Sequence, residues 1–560
     1  MISSLPSAPE TEARPLPFLR DPIAIVSAVL FLAAALRFFN YCEDDVFIPM
    51  RYALNFWRGH GLVMNPGERV DGCTSPLQLW LCVGLLRFLS PDQALGVLKI
   101  LGILLGLGVL ARSRTLARLL LPDHTKLWRA APLLLVIQPT FTLSMVNGLE
   151  TSLAAFFLVN GLVHITSDVK EVDLYARQPS MWERLTQAAA SKETAKQAAF
   201  WFCAAALTRP ELALTFPAIV FLLSMRDRRI DWRSLAIYSV PLIAECVFRY
   251  LYYGDWLPNT YYAKQLSLRW GFDLGRQYIE QDGFVGVPAI WMTMVGLGIV
   301  HLTFTAKSKS LPSLVTLVIQ ILFLLRSGGD WMIDGRFCMV VAPVVAAFLI
   351  GALQSLVDLF DFMSGKFSRI AAMIVPVTVA GLFAVTALID SARTVRGLFG
   401  IDELRGIDYV ARPHAPFARW MGSTADGRLA MADWIGRHAQ PGQTVLVGEV
   451  GVVPIANMDI DFIDVCGLTD ATIAHMQGYP RGRGGLGGGK MWMTPDGALP
   501  HYIHKRKPEW VALLWSPDKK NLTGSGDSDR LYVPVEVFPI HLDGYTQYVA
   551  TWRRRDIRPD

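Results

Sequence analysis

Apolar stretches of about 17 to 25 residues recur between residues 22 and 391, separated by short polar or charged segments, and match the length a helix needs to cross a bilayer core. Spans are expected near 22–41, 94–112, 130–147, 150–167, 197–208, 211–225, 235–252, 284–304, 310–326, 337–355 and 371–391, about 11 helices in all. The stretch SPLQLWLCVGLLRFL at 75–89 is also apolar, but Pro76 opens it and Arg87 interrupts it. Counting it as a span would put the arginine-rich loop after residue 110 outside, so it is expected to lie in the interface. The pair 197–208 and 211–225 is short and joined by TRPE, where Pro210 breaks the helix. Two half-buried helices meeting there would line a cavity, the setting in which polar backbone is tolerated at membrane depth. Beyond residue 391 the pattern changes. TVLVGEVGVVPIA, EWVALLW and YVATWRR read as strands and ADGRLAMADWIGRHA as a helix, which gives an α/β domain. The expected layout is a polar tail at 1–21, a helical membrane domain at 22–391 with a first extracytoplasmic loop at 42–93, and an extracytoplasmic α/β domain at 392–560.

Composition supports the membrane reading, since 52% of residues are hydrophobic and 18% charged, and the mean hydropathy of +0.33 leaves apolar surface that must face lipid. The first 20 residues are polar and Pro-rich, and no small-residue cleavage site follows the first apolar run, so that run reads as an anchor rather than a removed signal. The basic segments ARSRTLARLLLPDHTKLWR, DVKEVDLYARQPSMWERLTQAAASKETAK, SMRDRRIDWR, TAKSKS and SGKFSR fall on one side, which is cytoplasmic by the positive-inside rule, with the N-terminus on that side. The net charge of +5 is modest, and no nucleic-acid signature is present. Seven cysteines without CxxC spacing exclude common zinc and redox motifs. Cys42 and Cys73 flank one extracytoplasmic loop, with two free thiols the simpler reading and a disulfide the alternative.

With that threading the polar motifs share the outer face. YCEDDVFIPMRYALNFWRGHGLVMNPGERVDGCTSP places Glu43, Asp44 and Asp45 where a membrane helix exits, followed by Arg51 and Tyr52 on an amphipathic helix and by Glu68, Arg69 and Asp71 on a Gly- and Pro-rich return. NGLET adds Glu150, TRPE adds Arg209 and Glu211, YYGDWLPNTYYAK adds Asp255, Asn259 and Lys264, and RSGGDWMIDGRF adds Asp330, Asp334 and Arg336. Each alone reads equally well as an ion pair or a helix cap. Their arrival on one membrane face is what points to a site. A carboxylate there can take a proton from an attacking hydroxyl. Arginine and lysine can hold a phosphate, and tyrosine and tryptophan suit sugar rings and an isoprenoid tail. RGRGGLGGGK at 481–490 lacks the GxxxxGK[ST] spacing of a phosphate loop, and GEVG at 448–451 is only a turn.

The ordered set EDDVFIPMRYALNFWRGHGLVMNPGERVDGCTSPL, NGLET, LTRPE, YYGDWLPNTYYAK, GGDWMIDGRF and DVCGLTDATIA resembles the mycobacterial terminal arabinofuranosyltransferases and their bacterial relatives, within the GT-C fold. The resemblance implies a multi-pass enzyme of the bacterial inner membrane. It implies inverting transfer of arabinofuranose or a related pentose from a polyprenyl-phosphate donor onto a cell-envelope glycan. It assigns the catalytic base to the pair Asp44 and Asp45, with Asp44 favoured. Donor phosphate and sugar would be held among Arg51, Tyr52, Glu68, Glu150, Arg209, Glu211, Asp255, Asn259, Lys264, Asp330 and Arg336. The acceptor would be held by Asp464, Thr469 and Asp470 of DVCGLTD. The Gly-rich 481–490 segment departs from the family's pattern and leaves the acceptor open.

No cofactor is required by this reading. An all-oxygen cluster of Asp44, Asp45 and a neighbouring carboxylate would suit magnesium, manganese or calcium rather than zinc, although a tightly bound cation would hinder a base. Two other readings share these features. A transporter or flippase of lipid-linked sugars would also need intramembrane charge and broken helices, but the two halves of the chain show no internal repeat. A non-catalytic assembly factor of the envelope or motility apparatus would keep the fold as a scaffold, and the intact acidic pair speaks against that.

Overall fold

The computed structural model describes residues 17–121, 126–169, 193–227, 231–280, 288–330, 335–364, 426–476, 498–515, 531–542 and 545–557. The expected span at 371–391, the Gly-rich segment and Asp334 lie outside them. The chain is mostly helical, with a small sheet near its C-terminus.

The helices are α1 (Pro22–Arg37), α2 (Phe47–Trp57), α3 (Pro76–Leu86), α4 (Pro91–Leu120), α5 (Ala131–Val136), α6 (Pro139–Val146), α7 (Thr151–Asp168), α8 (Glu193–Thr208), α9 (Thr215–Asp227) and α10 (Trp232–Tyr253). They continue with α11 (Asn259–Ala263), α12 (Leu268–Tyr278), α13 (Pro288–Thr305), α14 (Leu311–Ser327), α15 (Arg336–Met339) and α16 (Ala342–Ser364). Local chemistry sets their ends. Asp21 caps α1 by accepting the Ile23 N–H at 3.1 Å, and Ser90 and Gln93 form a capping box at the start of α4. Gly254 and Gly328 stop α10 and α14 in the left-handed region that glycine adopts freely.

Helices stand at the expected spans within the described residues, but fewer of them meet the test for crossing a membrane. Among the described residues four are long and apolar enough by length and composition, in Pro91–Leu120, Trp232–Tyr253, Lys307–Ser327 and Ala342–Met363. The pair Leu127–Val136 and Thr140–Val146, bent by 70°, makes a fifth if taken as one span. Among the described residues the count of about 11 is thus not confirmed, and length is one reason: a helix of 16 residues such as α1 rises roughly 24 Å, short of a hydrocarbon core of about 30 Å. Helix α3 is shorter still at 11 residues. The outward faces remain apolar, with Leu36, Phe221, Val240, Leu251 and Phe304 largely exposed.

The C-terminal part holds α17 (Asp426–His438), β1 (Thr444–Val447), α18 (Val452–Ala456), β2 (Asp461–Asp464), α19 (Ala471–Ala474), α20 (Ala498–Arg506), β3 (Trp510–Trp515), β4 (Tyr532–Leu542) and β5 (Tyr545–Arg554). The sheet order is β2-β1-β3-β5-β4, parallel across β2, β1 and β3 and antiparallel across β3, β5 and β4. The expected first strand ends at Val447, and the chain re-forms as α18. This unit is not tethered loosely. A single hydrophobic cluster joins Val46, Met50 and Leu79 of the first loop to Met431, Trp434, Val452 and Phe462.

Candidate active site

Asp44 and Asp45 lie in one turn of 3₁₀ helix, Asp44–Val46, just before α2. With about three residues per turn, neighbouring side chains point roughly 120° apart, so the two acids face different parts of the molecule. Asp44, 4% exposed, turns toward the C-terminal domain. Its two carboxylate oxygens accept the Gly451 and Val452 N–H groups at 2.9 Å each. A Cβ at Gly451 would lie 2.0 Å from the Asp44 carbonyl oxygen, so only glycine permits the approach. Burial pushes the Asp44 carboxyl up to about 6, against the pull of nearby Arg428 and the Val452 N–H, with Glu449 adding to the rise. Arg428 is itself paired with Glu449.

Asp45 keeps 21% of its side chain exposed and lines a cavity of about 410 Å³. The same cavity is lined by Glu150, Arg209, Glu211, Lys264 and Arg336, so six of the sequence candidates meet there. Two buried arginines organise the charge. Arg336 bonds Asp45 at 3.2 Å and Asp330 through its Nε. Arg209 pairs with Glu150 at 3.0 Å and Glu211 at 3.6 Å. Both guanidiniums sit against the Phe337 ring, at 4.6 Å for Arg209 and 5.3 Å for Arg336. Burial alone would raise the Asp330 carboxyl, but Arg336, Lys264 and Arg209 hold it below the ordinary value. Gly328 and Gly329 both have positive φ and turn the chain from α14 into this loop, where a Cβ at Gly329 would strike the Tyr278 ring.

Lys264 and Thr260 stand one helical turn apart at the cavity wall. The Thr260 hydroxyl, on a residue 6% exposed, is buried and has no hydrogen-bond partner among the described residues. The Lys264 ammonium, whose charge helps to hold the Asp330 carboxyl low, suits an anion with several acceptor oxygens at this wall.

The remaining candidates are spent elsewhere. Arg51 donates to the carbonyls of Met64, Asn457 and Ile460 at 2.8, 3.2 and 2.9 Å, and also to that of Pro454, stitching α2 to the C-terminal domain. The Tyr52 hydroxyl bridges the Val70 carbonyl and the Gly72 N–H. Glu68 pairs with Arg506 at 2.7 Å, and Asp255 lies 3.9 Å from His475 at the surface. Asn259 donates to the carbonyls of Gly467 and Leu468. Asp464 accepts from the Cys466 and Thr469 N–H groups at 2.8 Å each, and burial pushes its carboxyl up to about 7. Asp470 caps α19 and accepts from the Tyr502 hydroxyl. These residues hold a turn in place, and it is Leu468 of that turn that reaches the cavity.

Asp44 and Asp45 do not converge on a shared oxygen cage, and among the described residues no three His, Cys, Asp or Glu side chains group to hold a metal. All seven cysteines are free, Cys42 and Cys73 included. Sequence reasoning missed Thr260, Arg326, Gln78 and Phe337 of the cavity lining. Thr260 lay in a quoted motif one turn from Lys264, the signal by which it could have been found.

A family model described as a domain of unknown function, DUF8728, matches residues 418–557. A terminal β-(1→2)-arabinofuranosyltransferase of Corynebacterium glutamicum is 26% identical over 341 residues, 55% of this chain and 47% of that protein. This chain thus spans about half the length of that relative. Among solved structures, ArnT from Cupriavidus metallidurans bound to undecaprenyl phosphate aligns with 94% of this chain and 97% of its own, at 12% identity and a TM-score of 0.48. The Archaeoglobus fulgidus oligosaccharyltransferase in complex with Zn and sulfate aligns with 88% of this chain and 68% of its own, at 11% identity and a TM-score of 0.48.

Proposed function

We propose that this protein is a membrane glycosyltransferase of the GT-C type that moves arabinofuranose or a related pentose from a polyprenyl-phosphate donor to a cell-envelope glycan, with inversion, on the outer face of a bacterial inner membrane. In this reading the N-terminus is cytoplasmic, residues 22–391 form the membrane domain and residues 392–560 the extracytoplasmic domain. The observation that carries the reading is the cavity in which Asp45 stands among Arg336, Arg209, Glu150 and Lys264, walled by apolar helices. The name of the Corynebacterium relative supports the choice of sugar.

Asp45, rather than Asp44, is the base, because Asp44 has both oxygens engaged by backbone N–H groups while Asp45 faces the cavity. The Asp45 carboxylate takes the acceptor hydroxyl proton as that oxygen attacks the anomeric carbon. The bond from that carbon to the phosphate oxygen breaks, and polyprenyl phosphate leaves with the electron pair. Lys264 receives the phosphate, whose negative charge grows as the bond breaks. Glu150, anchored by Arg209, is placed to accept hydrogen bonds from sugar hydroxyls. No step needs a metal.

The test is sugar transfer by the full chain in nanodiscs, given polyprenyl-phosphate pentose and a panel of short glycans. A glycosylated product of inverted configuration supports the proposal. Donor carried across the bilayer without transfer would make the protein a transporter, and absence of donor binding would leave a scaffold.

A further inference from the structure

Helix α4 carries a lysine where its neighbours are apolar, and that lysine is fully buried. The Lys99 ammonium donates to the Val146 carbonyl at 2.8 Å and to the Tyr41 carbonyl. Val146 is the last residue of α6, and Tyr41 follows the end of α1. Val146 lies in the last turn of α6, where helix carbonyls lack intrahelical partners and carry partial negative charge, whereas Tyr41 lies in the loop three residues past Phe38, the C-cap of α1. Four residues beyond Val146 the chain has turned through Gly148 and Leu149 to Glu150, and four beyond Tyr41 it reaches Asp45. A buried ammonium is costly in an apolar setting unless hydrogen-bonded, and rarely kept there without use.

A second feature of α4 makes the contact reachable. A Cβ at Gly102 would lie 2.1 Å from the Met145 carbonyl oxygen, so α6 approaches α4 at a distance that only glycine allows. The approach brings the end of α6 to Lys99, almost one turn away on the same face. Gln78 braces the same hairpin by donating to the Gly148 carbonyl at 3.0 Å.

We propose that Lys99 is a positioning residue that ties the chain ends carrying Asp45 and Glu150 to one point on α4, and so sets the spacing of these two carboxylates across the cavity. The proposal rests on the reading of that cavity as a glycosyl-transfer site. Lys99 touches neither substrate and acts through the two loops.

Two readouts test it in full-length protein in nanodiscs. The first is hydrogen exchange, which needs no turnover: in Lys99→Met, amides of residues 42–46 and 147–150 should both exchange faster, while those of α17 stay protected. The second is a split of kcat from KM. A misplacement of about 1 Å lowers turnover by roughly 10²-fold, so Lys99→Met and Gly102→Ala should each lose kcat on that order with KM for donor and acceptor little changed. Lys99→Arg, which keeps the charge, should recover most of it. Unchanged exchange in either loop would overturn the tie, and this holds even if no glycosyl transfer is found. Faster exchange in both loops with wild-type kcat would overturn the positioning role. A fall in kcat that only tracks the folded fraction, read by pulse proteolysis, would do the same.

Discussion

Replacing Asp44 by alanine should loosen the C-terminal domain from the first loop. Two buried N–H groups, of Gly451 and Val452, would lose their acceptor, and each orphaned amide costs about 1–3 kcal/mol, for a total of about 4 kcal/mol. Asparagine keeps one acceptor oxygen but turns an amide nitrogen toward the other N–H, so it should fall between alanine and wild type. The pH dependence has a definite sign. Burial raises the Asp44 carboxyl from 3.8 to about 6, so the folded state holds the proton more tightly than the unfolded chain. The stabilisation is present below pH 4 and is lost as pH rises through about 6, amounting to ~3 kcal/mol at 1.36 kcal/mol per unit. Pulse proteolysis over a urea series, in wild type and Asp44→Asn at pH 4 to 8, isolates this group, since other titrations cancel in the difference. A difference flat across pH, or an Asp44→Ala loss under about 1 kcal/mol, would refute the docking role.

Gly451→Ala should undock the same joint, since its methyl group would meet the Asp44 backbone oxygen and carboxyl; faster amide exchange at residues 451–453 checks this. Lys264→Met should weaken polyprenyl phosphate binding about 10-fold or more, the worth of one charge-assisted hydrogen bond, measured by microscale thermophoresis in nanodiscs, whereas Arg58→Met, at a surface pair with Asp459, should not. Arg336→Gln should cost about 3–5 kcal/mol by leaving Asp330 buried without its countercharge; adding Asp330→Asn should recover much of it in the same urea series. Asp464, raised to about 7, should make the 464–470 turn more stable below pH 4 and less stable as pH passes 7, a trend that Asp464→Asn removes in thermal-shift curves.

The helical architecture was legible because apolar periodicity and proline positions are local signals, and Pro210 does break the helix near which it stands, whereas the bend at Pro139 inside the expected span 130–147 was not read. Convergence of Asp45, Glu150, Arg209, Glu211, Lys264 and Arg336 was also legible, because the threading put their motifs on one face. Two kinds of fact were not. The division of labour between Asp44 and Asp45 depends on a 3₁₀ turn that separates adjacent side chains. The use of Arg51 depends on carbonyls some four hundred positions away, a distance across which no local pattern speaks. Strand β2 was overlooked because DFID is only four residues long, and β4 because Pro534 and Pro539 weaken its pattern, which its place at the sheet edge tolerates. The expected base, Asp44, was the more natural choice from the motif alone, and the geometry moves our proposal one residue along.

The proposed function stands or falls on Asp45 acting as the base of a glycosyl-transfer cavity. The measurement that tests it most directly is single-turnover transfer from polyprenyl-phosphate pentose by wild type, Asp45→Asn and Asp44→Asn, with donor binding and domain docking recorded on the same samples. Asp45→Asn should bind donor, keep its C-terminal domain docked and transfer no sugar, while Asp44→Asn should lose activity only in step with docking. Full transfer by a docked Asp45→Asn protein would contradict that role.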